Sequence, residues 1–201
     1  MDKYEFNIKV EQIKKMVSRG DYETAMKIAG TIDWHRVRNA SLLSMIAEIY
    51  EKNKEYQEAK DILLLAFERA PIGKRLLYKL TDLALKEGNI AEAEAYYREF
   101  CDLAQDDSRQ YLLRYLILKA KKAPLDQLIR ALETYTAVEV DEKWLYELAE
   151  LYHKGGMGDQ CVRTCDKIML LFGLGKYVEK AMDLKLEYEP LNKYQMDMVE
   201  N

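Results

Sequence analysis

The stretch EYQEAKDILLLAFERAP, from Glu55 to Pro71, carries six apolar residues in a row, Ile62 to Phe67, within an otherwise largely charged segment. A helix with so much apolar surface is not stable alone in water, because that surface has to be buried against other elements. We therefore expect neighbouring helices on two sides of this one. The organisation of the rest of the chain indicates which helices those are.

Phrases similar to this stretch recur along the chain at a constant distance. Ala59 and Ala93 lie 34 residues apart, in EYQEAKDILLLAFERAP and NIAEAEAYYREFCDLAQ. Each phrase follows an apolar segment with helical spacing, such as ASLLSMIAEIYEKNK before the first. A fixed stride of this length predicts helical hairpins that stack on one another. Successive copies begin at or near Ala40, Lys74, Ser108 and Glu142.

The repeated pattern resembles that of the tetratricopeptide repeat (TPR) family. Its first helix combines large apolar residues, a small residue and a tyrosine, its second helix carries alanines, and a proline ends the unit. Small residues such as Ala47 and Ala59 let two antiparallel helices approach closely. The matching residues of the second copy are Leu43, Ile46, Ala47, Tyr50, Ala59, Ala66 and Pro71, and those of the last copy are Leu145, Leu148, Ala149, Tyr152 and Gly156, with Cys161 where an alanine is preferred.

The resemblance implies an all-α fold, namely a right-handed α-solenoid of about five TPR-like helical hairpins with a C-terminal capping helix. We expect one solenoid domain over residues 1–189. Residues 190–201 are expected to be a C-terminal tail, or the start of a further region. The expected parts of the solenoid are a divergent repeat at 6–39, repeats at 40–73, 74–107, 108–141 and 142–175, and a capping helix at 176–189.

Local signals predict several helix ends. Pro124 suits the start of a helix, where the missing N–H of proline costs nothing. Asp106 and Asp107 favour a cap on the helix that follows Ser108. The segment FGLGK at 172–176 has two glycines but lacks the spacing, and the following Ser or Thr, of a nucleotide-binding loop. It therefore predicts a break between helices.

Composition argues against nucleic-acid binding and membrane insertion. The chain has 31 basic and 35 acidic residues and a formal charge of -4, so no global positive field attracts nucleic acid. Apolar runs are far shorter than the ~20 residues of a membrane-spanning helix, and MDKYEFNIKVEQ lacks the apolar core of a signal peptide. We therefore expect a cytoplasmic protein.

Residues that could support catalysis or metal binding are few. Cys161 and Cys165 lie four residues apart, so a helix would place both thiols on one face. Only His35 and His153 could complete a metal site, and His153 could pair with a thiol as a base. A buried thiol, however, behaves as a small hydrophobe. We therefore expect no enzyme activity, no metal and no cofactor, and a cysteine-based enzyme is the weaker alternative.

The resemblance also implies that the first helices of the hairpins line a concave groove that takes a peptide or a helix of a partner. The phase of the repeat assigns residues to this groove in each copy. They are Ser41, Ser44, Met45 and Glu48, then Arg75, Tyr78, Lys79 and Asp82, then Arg109, Leu112, Leu113 and Leu116, and finally Lys143, Tyr146, Glu147 and Glu150.

Within this set, Arg75, Arg109 and Lys143 recur every 34 residues and predict a ladder of cations for the carboxylates of a partner. The alternative is that nearby acids such as Asp82 neutralise the ladder, because most surface charges are solvated or locally paired.

The segment YLLRYLILKA, residues 111–120, is apolar around most of its circumference. We expect it to leave Leu112, Leu113 and Leu116 exposed as an apolar patch, which is typical of a binding hot spot. The alternative occupants of this patch are the tail of the chain itself and a second copy in a homodimer.

Together these features predict a non-catalytic scaffold or adaptor that binds a protein or peptide partner in its concave groove. The alternative is a peptide-sensing or regulatory TPR domain of a larger protein. The sequence does not identify the partner.

Overall fold

The computed structural model describes residues 1–69 and 73–200, without the side chains of Phe67 and Arg69. Over these residues the chain forms twelve α-helices and one short 3-10 helix, and the described part contains no β-strand. No helix there combines the length and the apolar composition needed to cross a bilayer. The predicted repeat end at Pro71 lies outside the described residues.

The chain divides into two compact units, Met1–Gln105 and Asp106–Asn201. Unit 1 contains α1 (Lys3–Ser18), α2 (Tyr22–Ala29), the 3-10 helix η1 (Trp34–Arg36), α3 (Ala40–Lys52), α4 (Tyr56–Arg69), α5 (Lys74–Glu87) and α6 (Ile90–Leu103). Unit 2 contains α7 (Arg109–Ala120), α8 (Leu125–Val138), α9 (Glu142–Lys154), α10 (Gly158–Phe172), α11 (Lys176–Leu186) and α12 (Lys193–Glu200).

Helix α4 shows how the hairpins of unit 1 bury one another. It packs against α3, its hairpin partner, and against α5, the first helix of the next hairpin. Ala59 and Leu63 of α4 are buried in one cluster with Ala47 of α3 and with Leu80 and Leu83 of α5. The prediction that neighbours on two sides cover this apolar stretch is therefore confirmed for Ile62 to Ala66, while the side chain of Phe67 lies outside the described part of the structure.

A buried lysine joins three helices of unit 1. The side chain of Lys60 on α4 is only 1% exposed, and its Nζ lies 3.0 Å from Glu87 Oε2 and 3.0 Å from Glu92 Oε1. The side chain of Asn89 also donates to Glu92, at 2.8 Å. Burial alone would lower the pKa of Lys60, but the two carboxylates raise it above its ordinary value. This polar cluster holds the turn between α5 and α6 against α4.

Unit 2 is built in the same way, with hairpins α7/α8 and α9/α10 and with α11 packed on both α9 and α10. The predicted helix ends are confirmed at Pro124, at Asp107 and at the FGLGK segment. Pro124 directly precedes α8, and Asp107 Oδ1 accepts the backbone N–H of Arg109 at 2.9 Å. The predicted break separates α10 from α11, where Gly173 and Gly175 have φ values of 70° and 120° that favour glycine.

Helix α12 lies beyond the predicted capping helix, within residues that the sequence pattern assigns to a tail. It is attached through a buried polar network around Gln195, which is 2% exposed. The Gln195 side chain accepts from Lys185 Nζ at 2.8 Å and donates to Asp166 Oδ1 at 2.6 Å. Lys185 also lies 2.7 Å from Asp166. Residues 193–200 thus pack on α10 and α11 through hydrogen bonds that apolar periodicity does not reveal.

Candidate functional site

The predicted partner-binding residues of α5 include two that already have charged neighbours in unit 1. Lys79 Nζ lies 2.6 Å from Glu51 Oε1 on α3 and 3.6 Å from Asp82 Oδ2. Lys86 lies 3.1 Å from the same Asp82 oxygen. These four side chains form a charge cluster across α3 and α5, so the charges of Lys79 and Asp82 are largely compensated.

The other two predicted residues of α5 differ in exposure. Arg75 is exposed at the start of the helix. Tyr78 is half-buried, and its ring meets that of Phe100 on α6 edge to face, with centroids 6.2 Å apart. Tyr78 therefore contributes to the packing of the α5/α6 hairpin.

The predicted residues of α7 require a correction, because this helix turns most of its apolar side chains inward. Leu112 is 4% exposed and Leu113 is fully buried, while Leu116 is half-buried against the core of unit 2. The expectation of an exposed apolar patch at 111–120 is wrong for Leu112 and Leu113. A homodimer through this helix would have little apolar surface to bury.

Arg109, the first residue of α7, pairs with Asp107 directly before the helix. Its Nε donates to Asp107 Oδ1 at 3.0 Å and a terminal nitrogen donates to Oδ2 at 2.8 Å. Such a bidentate pair is stronger than a single exposed ion pair. The charge of Arg109 is therefore neutralised locally, as the alternative to the cationic ladder predicts.

The predicted residues of α9 lie on a face that combines rings and charges. Lys143 is exposed, with Nζ 4.8 Å from the centroid of the Trp144 ring. The Tyr146 ring lies 6.1 Å from the ring of Tyr177 on α11. Glu147 accepts a hydrogen bond from the Tyr115 hydroxyl and lies 3.2 Å from Lys119 Nζ. Glu150 is exposed.

Two residues of α11 also belong to this face, although neither is among the groove residues predicted from the sequence. Lys180 Nζ lies 5.5 Å from the Tyr177 centroid and 5.8 Å from that of Tyr146. Tyr177 and Lys180 stand 34 residues after Lys143 and Tyr146. The repeat phase, extended by one more copy into the predicted capping helix, would have identified both.

We call this surface the lysine–aromatic face. It also includes Lys176, whose Nζ is 5.1 Å from the Tyr177 centroid. These distances allow cation–π attraction, which holds each ammonium group over a ring. The members of the face are Lys143, Trp144, Tyr146, Lys176, Tyr177 and Lys180.

The lysine–aromatic face contains three lysines and no carboxylate among its members. Lys143, Lys176 and Lys180 are exposed, and none has an ion pair with a carboxylate in the described residues 1–69 and 73–200. Acidic residues lie near the other end of α9 and α11. Burial raises the pKa of Tyr146 to about 12, and Glu150 and Asp183 contribute to the rise. The lysine–aromatic face is therefore bordered by the acidic residues Glu150 and Asp183.

The cysteines and His153 do not form an evident nucleophile–base pair. Cys161 and Cys165 are fully buried, and burial raises the pKa of both thiols. A reactive cysteine needs accessible thiolate. The His153 ring instead contacts the Tyr188 hydroxyl and lies 3.6 Å from Glu187. Within the described part of the chain, no group of three or more His, Cys, Asp or Glu side chains is placed to hold a metal ion.

Comparison with known proteins gives matches in structure only. No protein-family model and no curated protein sequence matches the chain. A tetratricopeptide repeat protein from Parabacteroides merdae superposes with a TM-score of 0.66 at 13% identity, covering 99% of this chain and 84% of that one. TTC0263, a thermophilic TPR protein in Thermus thermophilus, gives a TM-score of 0.60 at 14% identity, covering 97% and 99%.

A third similar structure is YrrB, described as a TPR protein with an unusual peptide-binding site. It gives a TM-score of 0.52 at 17% identity, covering 87% of this chain and 90% of YrrB. Identities this low establish a shared fold and nothing finer. Since the matches extend over most of the chain and its helices pack as sequential hairpins, the resemblance seen in the sequence is confirmed, and the chain has the tetratricopeptide repeat fold.

Proposed function

We propose that the chain is a non-catalytic interaction scaffold, and that unit 2 binds an acidic segment of a partner protein on the lysine–aromatic face. One observation carries this proposal: three exposed lysines stack on the rings of α9 and α11 without a carboxylate partner among the described residues. Such a surface is complementary to Asp and Glu side chains.

The rings add a second type of contact. Tyr146, Tyr177 and Trp144 are partly exposed, and aromatic side chains are common anchors in protein interfaces. The acidic residues Glu150 and Asp183, which border the face, give the bound segment a direction. The proposed segment is therefore acidic where it meets Lys143 and Lys180, with an apolar side chain against the rings.

The scaffold role is consistent with the fold. TPR proteins are generally interaction scaffolds, and YrrB is described as having a peptide-binding site. The predicted groove residues Lys143 and Tyr146 belong to the proposed site. Arg75, Tyr78, Lys79, Asp82 and Arg109 are not needed for it, because most of them have partners inside their own unit.

Binding of acidic peptides tests this proposal. We expect isothermal titration to show binding of Glu- and Asp-rich peptides that contain one Phe or Leu, and no binding of the same peptides with Lys in place of the acids. Lys180→Glu is expected to weaken binding about tenfold by charge repulsion, and raised salt is expected to weaken it as well.

Lys167→Glu is the matched control, because Lys167 is exposed on α10 and lies outside the face. It should leave the affinity for the acidic peptides unchanged. Equal binding of acidic and basic peptides, or equal loss in Lys167→Glu and Lys180→Glu, would contradict the proposed function.

A further inference from the structure

Helix α12 is attached to unit 2 in a different way from the other helices. In the described part of the chain it does not pack along the length of a neighbour, as α7 to α11 do. Tyr194, Met196 and Val199 are each more than half exposed, while Met198 packs against the hydrophobic core of the unit. The burial of apolar surface therefore contributes little to the attachment of α12.

The attachment is mainly polar and is centred on the buried side chain of Gln195. Its Oε1 accepts from Lys185 Nζ at 2.8 Å and from the backbone N–H of Asn192 at 3.0 Å, and its Nε2 donates to Asp166 Oδ1 at 2.6 Å. The Asn192 side chain in turn accepts the backbone N–H of Gln195 at 2.8 Å. Asn192 and Gln195 thus form a reciprocal cap at the start of α12.

We call the surface that holds Gln195 the α12 slot, with Asp166 on α10 and Lys185 on α11 as its polar members. The side chain of Lys185 is almost fully buried, and its Nζ lies 2.7 Å from Asp166 Oδ1. Because these two charges compensate each other, the slot favours a neutral polar group. An amide matches it, since its oxygen accepts from the lysine while its nitrogen donates to the carboxylate.

The slot therefore selects a helix with a defined pattern of side chains. The pattern is an Asn that caps the helix, a Gln three residues later, and a Met three residues after that, as in Asn192, Gln195 and Met198. The segment that occupies the slot in this structure shows which chemistry fits it. A second copy of the chain carries the identical segment.

The connection between α11 and α12 can extend. It consists of the six residues 187–192 and contains Pro190, which restricts the residue before it to extended conformations. Six residues of extended chain span about 20 Å. This length is about twice the distance of 8–10 Å between the axes of packed helices, so the connection can reach the slot of a copy in contact.

Exposed apolar side chains lie beside this connection on both sides. Leu186 at the end of α11 and Tyr194 at the start of α12 are each more than half exposed. In a two-fold dimer that exchanges α12, the two connections pass each other close to the symmetry axis. These side chains then come together and bury apolar surface that the single chain leaves in water. The exchanged dimer gains this contact, while the hydrogen bonds of Gln195 are the same in both forms.

We propose that two copies of the chain exchange α12, so that residues 193–200 of each copy occupy the α12 slot of the other. The partner's Gln195 then takes the same place between Lys185 and Asp166. The apolar side chains beside the two connections form the new contact between the copies. This exchange goes beyond the proposed function, because it does not depend on what the lysine–aromatic face binds.

Two reciprocal variants of the full chain test the exchange. Gln195→Lys places a second ammonium group beside Lys185 and so releases α12 from its own slot. Lys185→Gln leaves Asp166 without its cation and weakens the slot for Gln195. In an equal mixture, the unchanged slot of the first variant receives the unchanged helix of the second. The substituted helix and the substituted slot also match, because lysine and amide have traded places.

Size-exclusion chromatography with light scattering measures the result. The dimer fraction of the mixture is expected to exceed that of either variant alone by about tenfold or more, because only the mixture restores the hydrogen bonds to a charged group. The parent chain should form dimers whose fraction rises with concentration, and Gln195→Lys alone should lose them. Far-UV circular dichroism will verify that both variants keep their helices.

Glu200→Lys is the matched control, since Glu200 is exposed on α12 outside the polar network. It should leave the dimer fraction of the parent chain unchanged. The exchange is overturned if the mixture contains no more dimer than either variant alone. Dimers of the parent chain that persist in Gln195→Lys would also overturn it, because copies that associate without exchange do not need Gln195. Neither readout involves an acidic peptide, so failure of the proposed function is distinguishable from failure of the exchange.

Discussion

The substitution Leu113→Glu is expected to lower the free energy of unfolding by about 4 kcal/mol or more. Leu113 is fully buried in α7, so a glutamate there has to bury a carboxylate or disrupt the packing around the helix. Because a domain is stable by only about 5–15 kcal/mol, a loss of this size brings it close to unfolding. Urea denaturation followed by far-UV circular dichroism measures the change.

The neighbouring residue gives a matched control for Leu113→Glu. Arg114 is exposed on the same helix, so Arg114→Glu should change the free energy of unfolding by no more than about 0.5 kcal/mol. If Leu113→Glu unfolds at the same urea concentration as Arg114→Glu, the leucine lies at the surface. The prediction of an exposed apolar patch at 111–120 would then be correct.

Replacement of the buried Lys60 is expected to have the next largest effect. Lys60→Ala leaves Glu87 and Glu92 close together without their shared cation and is expected to lower the free energy of unfolding by about 3 kcal/mol. The triple variant Lys60→Met, Glu87→Gln, Glu92→Gln should recover most of this loss, because it removes the whole charged cluster. An exposed lysine, Lys167, provides the control as Lys167→Ala.

The contribution of Lys60 should also depend on pH. Its pKa is raised in the folded chain above the unfolded value of about 10.4. A raised lysine pKa contributes stability that is fully present below the unfolded value and is lost as the pH rises through the folded value. The difference in unfolding free energy between the parent chain and Lys60→Met should therefore be constant from pH 7 to 9 and narrow above about pH 10. A difference that does not narrow would contradict the buried ion pairs.

The helices and their hairpins could be predicted from the sequence because their signals are local and repeated. Ala47 and Ala59 occupy the small positions where α3 and α4 approach, and the structure buries both. Pro124 and the two glycines after Phe172 mark helix ends through their own backbone preferences. Such signals depend little on distant parts of the chain.

The exposed surface could not be predicted as well. Helix α7 is apolar on nearly every side, so periodicity does not distinguish its buried side from its exposed side. The repeat phase predicts Leu112 and Leu113 on the exposed side, whereas the structure buries both. The pairing of Arg109 depends on the direction that the chain takes at Asp107. The contacts of Gln195 with Asp166 are polar and join residues far apart in sequence.

The candidate sites could be predicted from the sequence only in part. Lys143 and Tyr146 follow from the repeat phase, and the same phase would have reached Tyr177 and Lys180. Unit 1 contains a cavity lined by α1, by the start of α3 and by the connection at 30–39, and only this connection departs from the repeat. The features that distinguish this chain from a regular repeat array are therefore the ones that sequence periodicity misses.

Methyl–methyl nuclear Overhauser effects from Ala59 test directly whether successive hairpins bury one another along the chain. We expect cross-peaks that connect the methyl groups of Ala59 and Leu63 with Ala47 of α3 and with Leu80 and Leu83 of α5. Cross-peaks from α4 to helices that are not its neighbours in sequence, in place of these, would contradict this packing.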